Sequence, residues 1–274
     1  MKIYETVILL GGMGTRLLPY TKTVSKEMLP IYDVPAIFLL VKEAYLSGIK
    51  KIIFVTNPHN RHLIKSFFSK DKYLDDFIKE QPEKQKLLKE VNEILDKMQF
   101  VYVNETIMGT YGALYSARKN IQGNYFTVMY GDDLIDSEIP LTKKLIDEFH
   151  QTGKMQVAVY SKKENELPTV GVVKMDKDNN LIDLVKKTEP NSGCEMHGRM
   201  LLNKDLFKIK SKLIKHANNE YYLSYALLEF KEKVHAYKYM GHYFNLGSKT
   251  GFIKASIHYA QKKDKEFEKY IKNL

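Results

Sequence analysis

The sequence of 274 residues has no tryptophan and only one cysteine, Cys194. A single cysteine excludes an intrachain disulfide framework and a zinc site built from several cysteines. Long apolar runs are also missing. The longest, such as 7–10 and 52–55, have the length of a strand, whereas a membrane-spanning helix needs about 20 apolar residues. The N-terminus lacks the pattern of a secretory signal, so we expect a cytoplasmic protein without a membrane segment.

The formal net charge is +10, but the lysines are spread along the whole chain and form no blocks. A net positive charge favours binding of nucleic acids, anionic lipids or small anionic substrates. The even spread of lysines argues against a nucleic-acid partner and against a membrane surface. A positive field would also serve a polyphosphate substrate.

Apolar runs alternate with amphipathic segments in the first half of the chain. Buried strands are predicted over 6–10 and 51–56, and helices over 36–47 and 59–68. This alternation indicates an α/β protein with a Rossmann-like, mostly parallel sheet flanked by helices. Further strands are predicted over 99–103, 125–130, 156–161, 170–175, 181–185 and 234–240, and further helices over 112–120, 141–152, 220–231 and 250–267.

The segment 72–98 departs from this alternation because it is rich in Lys, Glu and Leu. We predict one or two exposed helices there, inserted into the α/β pattern. Such an insertion is equally compatible with a solvated surface excursion and with a lid or a dimer contact. No internal repeat or low-complexity linker is present, so we expect a single domain with its last third on the same sheet.

A glycine-rich loop with Gly11, Gly12 and Gly14 directly follows the first predicted strand. Glycines permit a tight turn and let backbone N–H groups approach a nucleotide closely. Open α/β sheets bind ligands at this end of the first strand. The spacing matches neither the phosphate-binding loop with Gly-Lys-Ser/Thr nor the dinucleotide pattern. Arg16 and Lys26 add the positive charge that a triphosphate and a departing pyrophosphate require.

The segment 11–35, GGMGTRLLPYTKTVSKEMLPIYDVP, resembles the signature of the sugar-nucleotide pyrophosphorylases. The motif KEMLP at 26–30 and the insertion at 72–98 look like bacterial UTP–glucose-1-phosphate uridylyltransferases. The resemblance implies a nucleotidyltransferase fold, similar to that of type-A glycosyltransferases, over 1–274. It further implies a helical insertion at 72–98, a sugar-binding lobe at roughly 150–249 and a C-terminal helix at 250–274.

The reaction that the resemblance implies is attack by the phosphate oxygen of a sugar 1-phosphate on the α-phosphorus of UTP, assisted by Mg²⁺. The implied catalytic residues are Arg16 and Lys26. Arg16 would stabilise the triphosphate, and Lys26 would contact phosphate in the transition state. Asp132 and Asn245 would be the metal ligands, because Mg²⁺ prefers oxygen donors and shares phosphate oxygens. The implied substrate-binding residues are Gly11, Gly12, Gly14, Thr15, Glu27, Gly109, Gly112, Gly171, Lys187 and Gly198.

Three positions depart from the family pattern. Lys186 stands where the family has a glutamate that touches sugar hydroxyls, next to Lys187, which would contact the sugar phosphate. Asn245 stands where related pyrophosphorylases have an aspartate as second magnesium ligand. Its amide oxygen keeps a ligand atom, but the lost charge should weaken magnesium binding. The loop 108–114, whose Gly109 and Gly112 would line the base pocket, also differs from the family's sequence.

Several alternatives remain open at this point. The implied enzyme makes UDP-glucose, or UDP-galactose, and pyrophosphate from UTP and the sugar 1-phosphate. A thymidylyltransferase is the nearest rival; Tyr32 and Asp33 would suit it, whereas 26–28 and the insertion argue against it. The other alternative is a catalytically weakened relative that binds a nucleotide sugar and has a regulatory or partner role. We expect a homo-oligomer, a dimer or tetramer, with the insertion and the C-terminal helix as candidate interfaces.

Overall fold

A computed structural model of the chain describes residues 2–161, 172–185, 194–213 and 219–273. Gly171, Lys186 and Lys187 therefore lie outside the described residues. The β-strands are β1 (Glu5–Leu10), β2 (Pro30–Ile31), β3 (Val34–Pro35), β4 (Lys51–Thr56), β5 (Gln99–Asn104), β6 (Tyr125–Tyr130), β7 (Asp133–Asp136), β8 (Met155–Ser161), β9 (Val172–Met175), β10 (Leu181–Val185), β11 (Cys194–Asn203), β12 (Val234–Lys238) and β13 (His242–Asn245). The α-helices are α1 (Ala36–Leu46), α2 (Arg61–Phe67), α3 (Lys72–Ile78), α4 (Pro82–Lys97), α5 (Thr110–Ser116), α6 (Leu141–Thr152), α7 (Leu223–Leu228), α8 (Lys249–Lys263) and α9 (Lys265–Lys272).

The first half of the chain forms the parallel part of the central sheet. β6, β1, β4 and β5 lie side by side and all run in the same direction. Every residue of β1 and β4 is buried, as expected for parallel strands that helices cover on both faces. Leu10 pairs with Thr56, and Thr56 with Asn104, so these strands end at one edge. The predicted Rossmann-like α/β fold is thus confirmed.

The strand β11 is the element of the main sheet that was not predicted from the sequence. This strand runs antiparallel to β6 and to β8, and it extends the sheet beyond its parallel half. Its polar residues Glu195, His197 and Arg199 obscured the strand. Arg199 is fully buried and donates to both carboxylate oxygens of Glu43 on α1, at 3.0 to 3.1 Å. The partner of Arg199 is therefore remote in sequence, and no local pattern reveals it.

The C-terminal part contains a second difference from prediction. The single helix predicted over 250–267 is two helices, α8 and α9. Asp264 separates them and caps α9 by accepting from the backbone N–H groups of Glu266 and Phe267. Before α8, β13 pairs with β7 in a small sheet that was not predicted, and Asn245 lies opposite Asp133 there. This pairing carries the C-terminal segment to the end of β6.

The insertion at 72–98 forms two helices, α3 and α4, as predicted. Ile78 and Ile94 are buried, and Ile94 packs into the main apolar core, whereas Tyr73, Phe77 and Leu87 remain 83%, 64% and 80% exposed. The insertion thus presents large apolar side chains to solvent. In the described part of the chain, no helix is both long enough and apolar enough to cross a membrane.

The buried ion pair between Arg199 and Glu43 generates a stability prediction. Arg199→Met would leave the buried carboxylate of Glu43 without its charged partner, so we expect the free energy of unfolding to fall by about 3–5 kcal/mol in urea denaturation. Lys86→Met is the control, because the ion pair of Lys86 with Glu83 is exposed and its loss should change stability little. Equal losses in the two variants would contradict the assignment.

Candidate functional site at the carboxyl end of the sheet

The glycine-rich loop after β1 is held by side chains from neighbouring segments. Gly14 adopts a left-handed conformation with φ of 64°, which favours glycine, and its carbonyl accepts from Thr21 Oγ1 at 2.8 Å. Asn57 Nδ2 donates to the Gly11 carbonyl at 3.0 Å, and Asn60 Nδ2 donates to the Leu10 carbonyl at 2.6 Å. The loop therefore has a defined shape at the edge where the parallel strands end.

Lys26 crosses this loop and forms an ion pair with Asp132. The two atoms Lys26 Nζ and Asp132 Oδ2 are 2.7 Å apart, although the residues are separated by 106 positions. Lys26 Nζ also lies 3.5 Å from the position that a Cβ on Gly12 would occupy. The predicted catalytic lysine, the predicted metal ligand and the glycine-rich loop are thus in direct contact.

Gly247 marks the point where the remaining predicted groups meet. A Cβ placed on Gly247 would overlap the guanidinium of Arg16 and would lie 3.0 Å from Asn245 Oδ1 and 3.1 Å from Asp132 Oδ2. The Leu246 N–H donates to the Asp132 carbonyl at 2.7 Å, which fixes this segment beside the end of β6. Arg16 makes no ion pair with any residue that the structure describes. Its guanidinium is therefore available to a phosphate.

Asp132 and Asn245 form a donor set that fits a hard cation. A carboxylate oxygen and an amide oxygen lie within 3.1 Å of one point, and Mg²⁺ favours such oxygen donors when substrate phosphates and waters complete its shell. Asn245 Oδ1 accepts from the Gly247 N–H at 2.9 Å, which orients it and leaves its second lone pair. Among the described residues, no cluster of three or more His, Cys, Asp or Glu side chains could hold a metal by itself. A metal here would depend on substrate oxygens.

Asp133 supports the site from behind. Its carboxylate is buried and accepts two hydrogen bonds, from the Gly198 N–H at 2.7 Å and from the Tyr243 hydroxyl at 2.9 Å. Burial, followed by the charge of Asp132, raises the pKa of Asp133. Gly198 lies where β11 approaches β6, and a Cβ on it would overlap the side chain of Tyr130. The N–H of Gly198 is already bound within the protein, and its role toward substrate stays a prediction.

Glu27 lies beneath the loop, with only 1% of its surface exposed. Neither carboxylate oxygen makes a hydrogen bond within the described part of the chain. Burial is the largest influence and raises the pKa of Glu27 to about 7, while the neighbouring charge of Lys26 acts in the opposite direction. At neutral pH this carboxyl is therefore partly protonated.

The loop before α5 forms the other wall of the site. Gly109 has φ of 88°, and a side chain on it would overlap the backbone of Tyr221. Tyr221 N–H donates to the Met108 carbonyl at 3.0 Å, and Tyr111 N–H donates to the Tyr221 carbonyl at 2.9 Å. These bonds keep 220–222 extended, which is why α7 is shorter than the predicted helix. Gly112 is packed as closely, because a Cβ added to it would lie 2.5 Å from the Ile107 carbonyl oxygen.

Three polar residues at this edge were missed by the sequence analysis: Asn57, Asn60 and Glu105. Asn57 directly follows the buried strand β4 and Glu105 follows the partly buried strand β5, and that position was the available signal. A polar residue after a strand is too common to identify a site by itself. The pairing of β1, β4 and β5 gives these residues their place beside the loop.

A glycine-rich loop after the first parallel strand, with cations and oxygen donors beside it, defines a protein that handles a nucleotide phosphate. The model of the nucleotidyl transferase family matches residues 5–271. The chain belongs to the nucleotidyl transferase family, as the 11–35 segment predicts.

Relatives within the family are similar along their full length. The chain is 33% identical to UTP–glucose-1-phosphate uridylyltransferase 2 of Staphylococcus saprophyticus, over 100% of this chain and 98% of that protein. A crystal structure of apo UDP-glucose pyrophosphorylase has a TM-score of 0.88 and 29% identity, over 95% of this chain and 99% of that one. A UDP-glucose pyrophosphorylase complexed with UDP-glucose has a TM-score of 0.84 and 28% identity, over 96% and 100%.

The raised pKa of Glu27 generates a prediction about stability and pH. The folded protein binds a proton that the unfolded chain releases between about pH 4.5 and pH 7, so this carboxyl destabilises the folded state as the pH rises through that window. Glu27→Gln removes the effect. We expect the variant to gain roughly 3 kcal/mol relative to the original protein between the two ends of the window, in urea unfolding at several pH values.

Glu83→Gln is the matched control, because Glu83 lies on the exposed face of α4 and its carboxyl is 84% exposed. Its stability should differ from that of the original protein by the same amount at every pH. The account of Glu27 is wrong if the Glu27→Gln difference is also constant across the window.

Proposed function

We propose that the protein is a UTP–glucose-1-phosphate uridylyltransferase, which forms UDP-glucose and pyrophosphate from UTP and glucose 1-phosphate. The observation that carries the proposal is the convergence of Arg16, Lys26 and Asp132 on the glycine-rich loop. The full-length relative with that name and the neighbour solved with UDP-glucose support the same substrates. A structure of a putative glucose-1-phosphate thymidylyltransferase from Bacillus anthracis is only 20% identical to the chain, so it supports the fold alone.

In the proposed reaction, a phosphate oxygen of glucose 1-phosphate attacks the α-phosphorus of UTP. The new P–O bond forms as the bond to pyrophosphate breaks, so the protein supplies position and charge, not a nucleophile. Arg16 offers a planar guanidinium to the triphosphate, and Lys26 offers a compact charge near the α-phosphate. Gly11, Gly12 and Gly14 present backbone N–H groups, and Thr15 follows them in the same turn.

Magnesium is the cofactor that we propose for this reaction, held by Asp132 and Asn245 together with phosphate oxygens. When bound, it neutralises negative charge on the phosphates and on the departing pyrophosphate. In the free protein Lys26 Nζ neutralises Asp132 instead. We infer that the lysine turns from the carboxylate to phosphate as substrate and metal bind. Lys26 and Asp132 then each have a partner of opposite charge both before and after binding.

The other predicted residues complete the proposed substrate site. Glu27, Gly109 and Gly112 would border the nucleoside, and Gly198 the sugar. For the sugar phosphate we propose Lys187, with Gly171 nearby, both of them outside the described residues. We also propose a cytoplasmic location and a dimer or tetramer. The exposed apolar side chains of the insertion support the oligomer, and light scattering on the purified protein would measure its mass.

A second candidate function is a relative that binds the nucleotide sugar but turns it over poorly. Asn245 favours it, because a neutral amide contributes less to a hard-cation site than a carboxylate does. The two functions differ in whether catalysis follows binding.

Pyrophosphate release from UTP, glucose 1-phosphate and Mg²⁺ tests the proposed function. We expect turnover by the original protein, and a decrease in kcat/KM of roughly 100- to 1,000-fold for Arg16→Ala, because the triphosphate loses a charge partner. Arg118→Ala is the control, since Arg118 stacks on Tyr115 away from the site, and it should turn over normally. UDP-glucose binding without pyrophosphate release would instead identify the second candidate function.

Asn245→Asp tests the proposed metal site. The added carboxylate restores a negative charge beside Asp132, so the variant should need less magnesium for half-maximal rate than the original protein. A magnesium titration of the initial rate measures this. Asn203→Asp adds the same charge at the far end of β11 and should leave the requirement unchanged. An unaltered or increased requirement in Asn245→Asp would refute the assignment of Asn245 as a ligand.

A further inference from the structure

Glu105 follows β5 directly, and its carboxyl group lies against the glycine-rich loop. Its backbone N–H donates to the Thr56 carbonyl at 2.9 Å, which extends the pairing of β4 with β5 by one residue. A Cβ on Gly11 would overlap Glu105 Oε2 and would lie 2.5 Å from its Cδ. The carboxyl therefore reaches across the end of β4 to the loop that borders the proposed nucleotide site.

No described residue hydrogen-bonds or ion-pairs with the Glu105 carboxyl. Among the described groups around it, Glu220 is the charged neighbour that acts on it. Glu220 precedes Tyr221, whose backbone closes the wall next to Gly109. Burial, and then the charge of Glu220, raise the pKa of Glu105. Glu220 itself accepts from the Tyr222 hydroxyl, so the carboxyl without a protein partner is that of Glu105.

The state of this carboxyl decides which nucleobase edge it can match. Uracil presents one N–H donor, at N3, between two carbonyl acceptors. A carboxylate can only accept, whereas a neutral carboxylic acid donates through one oxygen and accepts through the other. The neutral acid can therefore pair with N3–H and one carbonyl together. The ionised form would leave its second oxygen facing a carbonyl oxygen, and an unmatched polar group in a closed site is costly.

We propose that Glu105 binds the uracil edge of the nucleotide as the neutral carboxylic acid, so that binding takes up one proton. This inference rests on the proposed function, because it takes the uridine nucleotide as ligand. It assigns nucleobase selection to a residue that neither the glycine-rich loop nor the phosphate-binding cations indicate. It also makes nucleotide affinity decrease as the pH rises.

The direct experiment is titration of the full chain with UDP-glucose by calorimetry at about pH 6 and about pH 8. UDP-glucose is the probe because its diphosphate gains or loses no proton in this range, unlike the terminal phosphate of UTP. We expect the affinity of the original protein to decrease by up to about tenfold per pH unit above the pKa of Glu105. Buffers of different ionisation enthalpy should report proton uptake.

Glu105→Gln is the informative variant, because an amide of the same size always offers one donor and one acceptor. It should bind UDP-glucose with the same affinity at both pH values, without proton uptake, and more tightly than the original protein at about pH 8. Glu105→Gln with the original pH dependence, or with weaker binding at both pH values, would overturn the proposal.

Two controls separate Glu105 from its neighbours. Glu220→Gln removes the charge beside it, so the decrease in affinity should persist but shift to lower pH. Glu27→Gln should leave the decrease in place; it is the necessary control because burial raises the pKa of Glu27 to about 7. Loss of the decrease in Glu27→Gln would move the proton to Glu27 and refute Glu105. Failure of the proposed function would appear separately, as UDP-glucose binding without pyrophosphate release. If no variant binds UDP-glucose at either pH, both proposals are rejected.

Discussion

The ion pair between Lys26 and Asp132 is the interaction on which the site depends. It joins the glycine-rich loop to the end of β6 across 106 residues, and the side chains are only 10% and 27% exposed. The Asp132 carbonyl holds Leu246, so Asn245 and Gly247 take their places from the same point. One contact thus sets the spacing between the cations of the loop and the oxygens at the end of the sheet.

The charges around this pair are arranged so that the site is stable without ligand and still has a cation for an anionic one. Asp132 and Lys26 neutralise each other, whereas Arg16 has no ion-pair partner among the described residues. In the proposed reaction, incoming phosphates would meet the guanidinium of Arg16 first and would gain a second cation when Lys26 leaves Asp132. The released carboxylate of Asp132 would then be free for the proposed magnesium ion, which favours such oxygen donors. Such an exchange of partners would leave neither Lys26 nor Asp132 unpaired at any stage.

The sequence predicted the parallel half of the fold well because β1 and β4 are buried on both faces and appear as uninterrupted apolar runs. β11 escaped prediction because Arg199 is satisfied by Glu43, which is 156 positions away. Arg16, Lys26 and Asp132 were predicted from their motif, and the structure brings them together, while their roles toward substrate stay predictions. Asn57 and Glu105 were not predicted, since each acquires its position from the pairing of strands, and a polar residue after a strand is too common to identify a site by itself.

A structure of the protein with UDP-glucose and Mg²⁺ bound tests the central claim most directly. The account predicts that Lys26 Nζ contacts a phosphate oxygen, that Asp132 and Asn245 both coordinate the metal, and that the pair of Lys26 with Asp132 is broken. A complex in which Lys26 still pairs with Asp132, with the metal bound elsewhere, would contradict it.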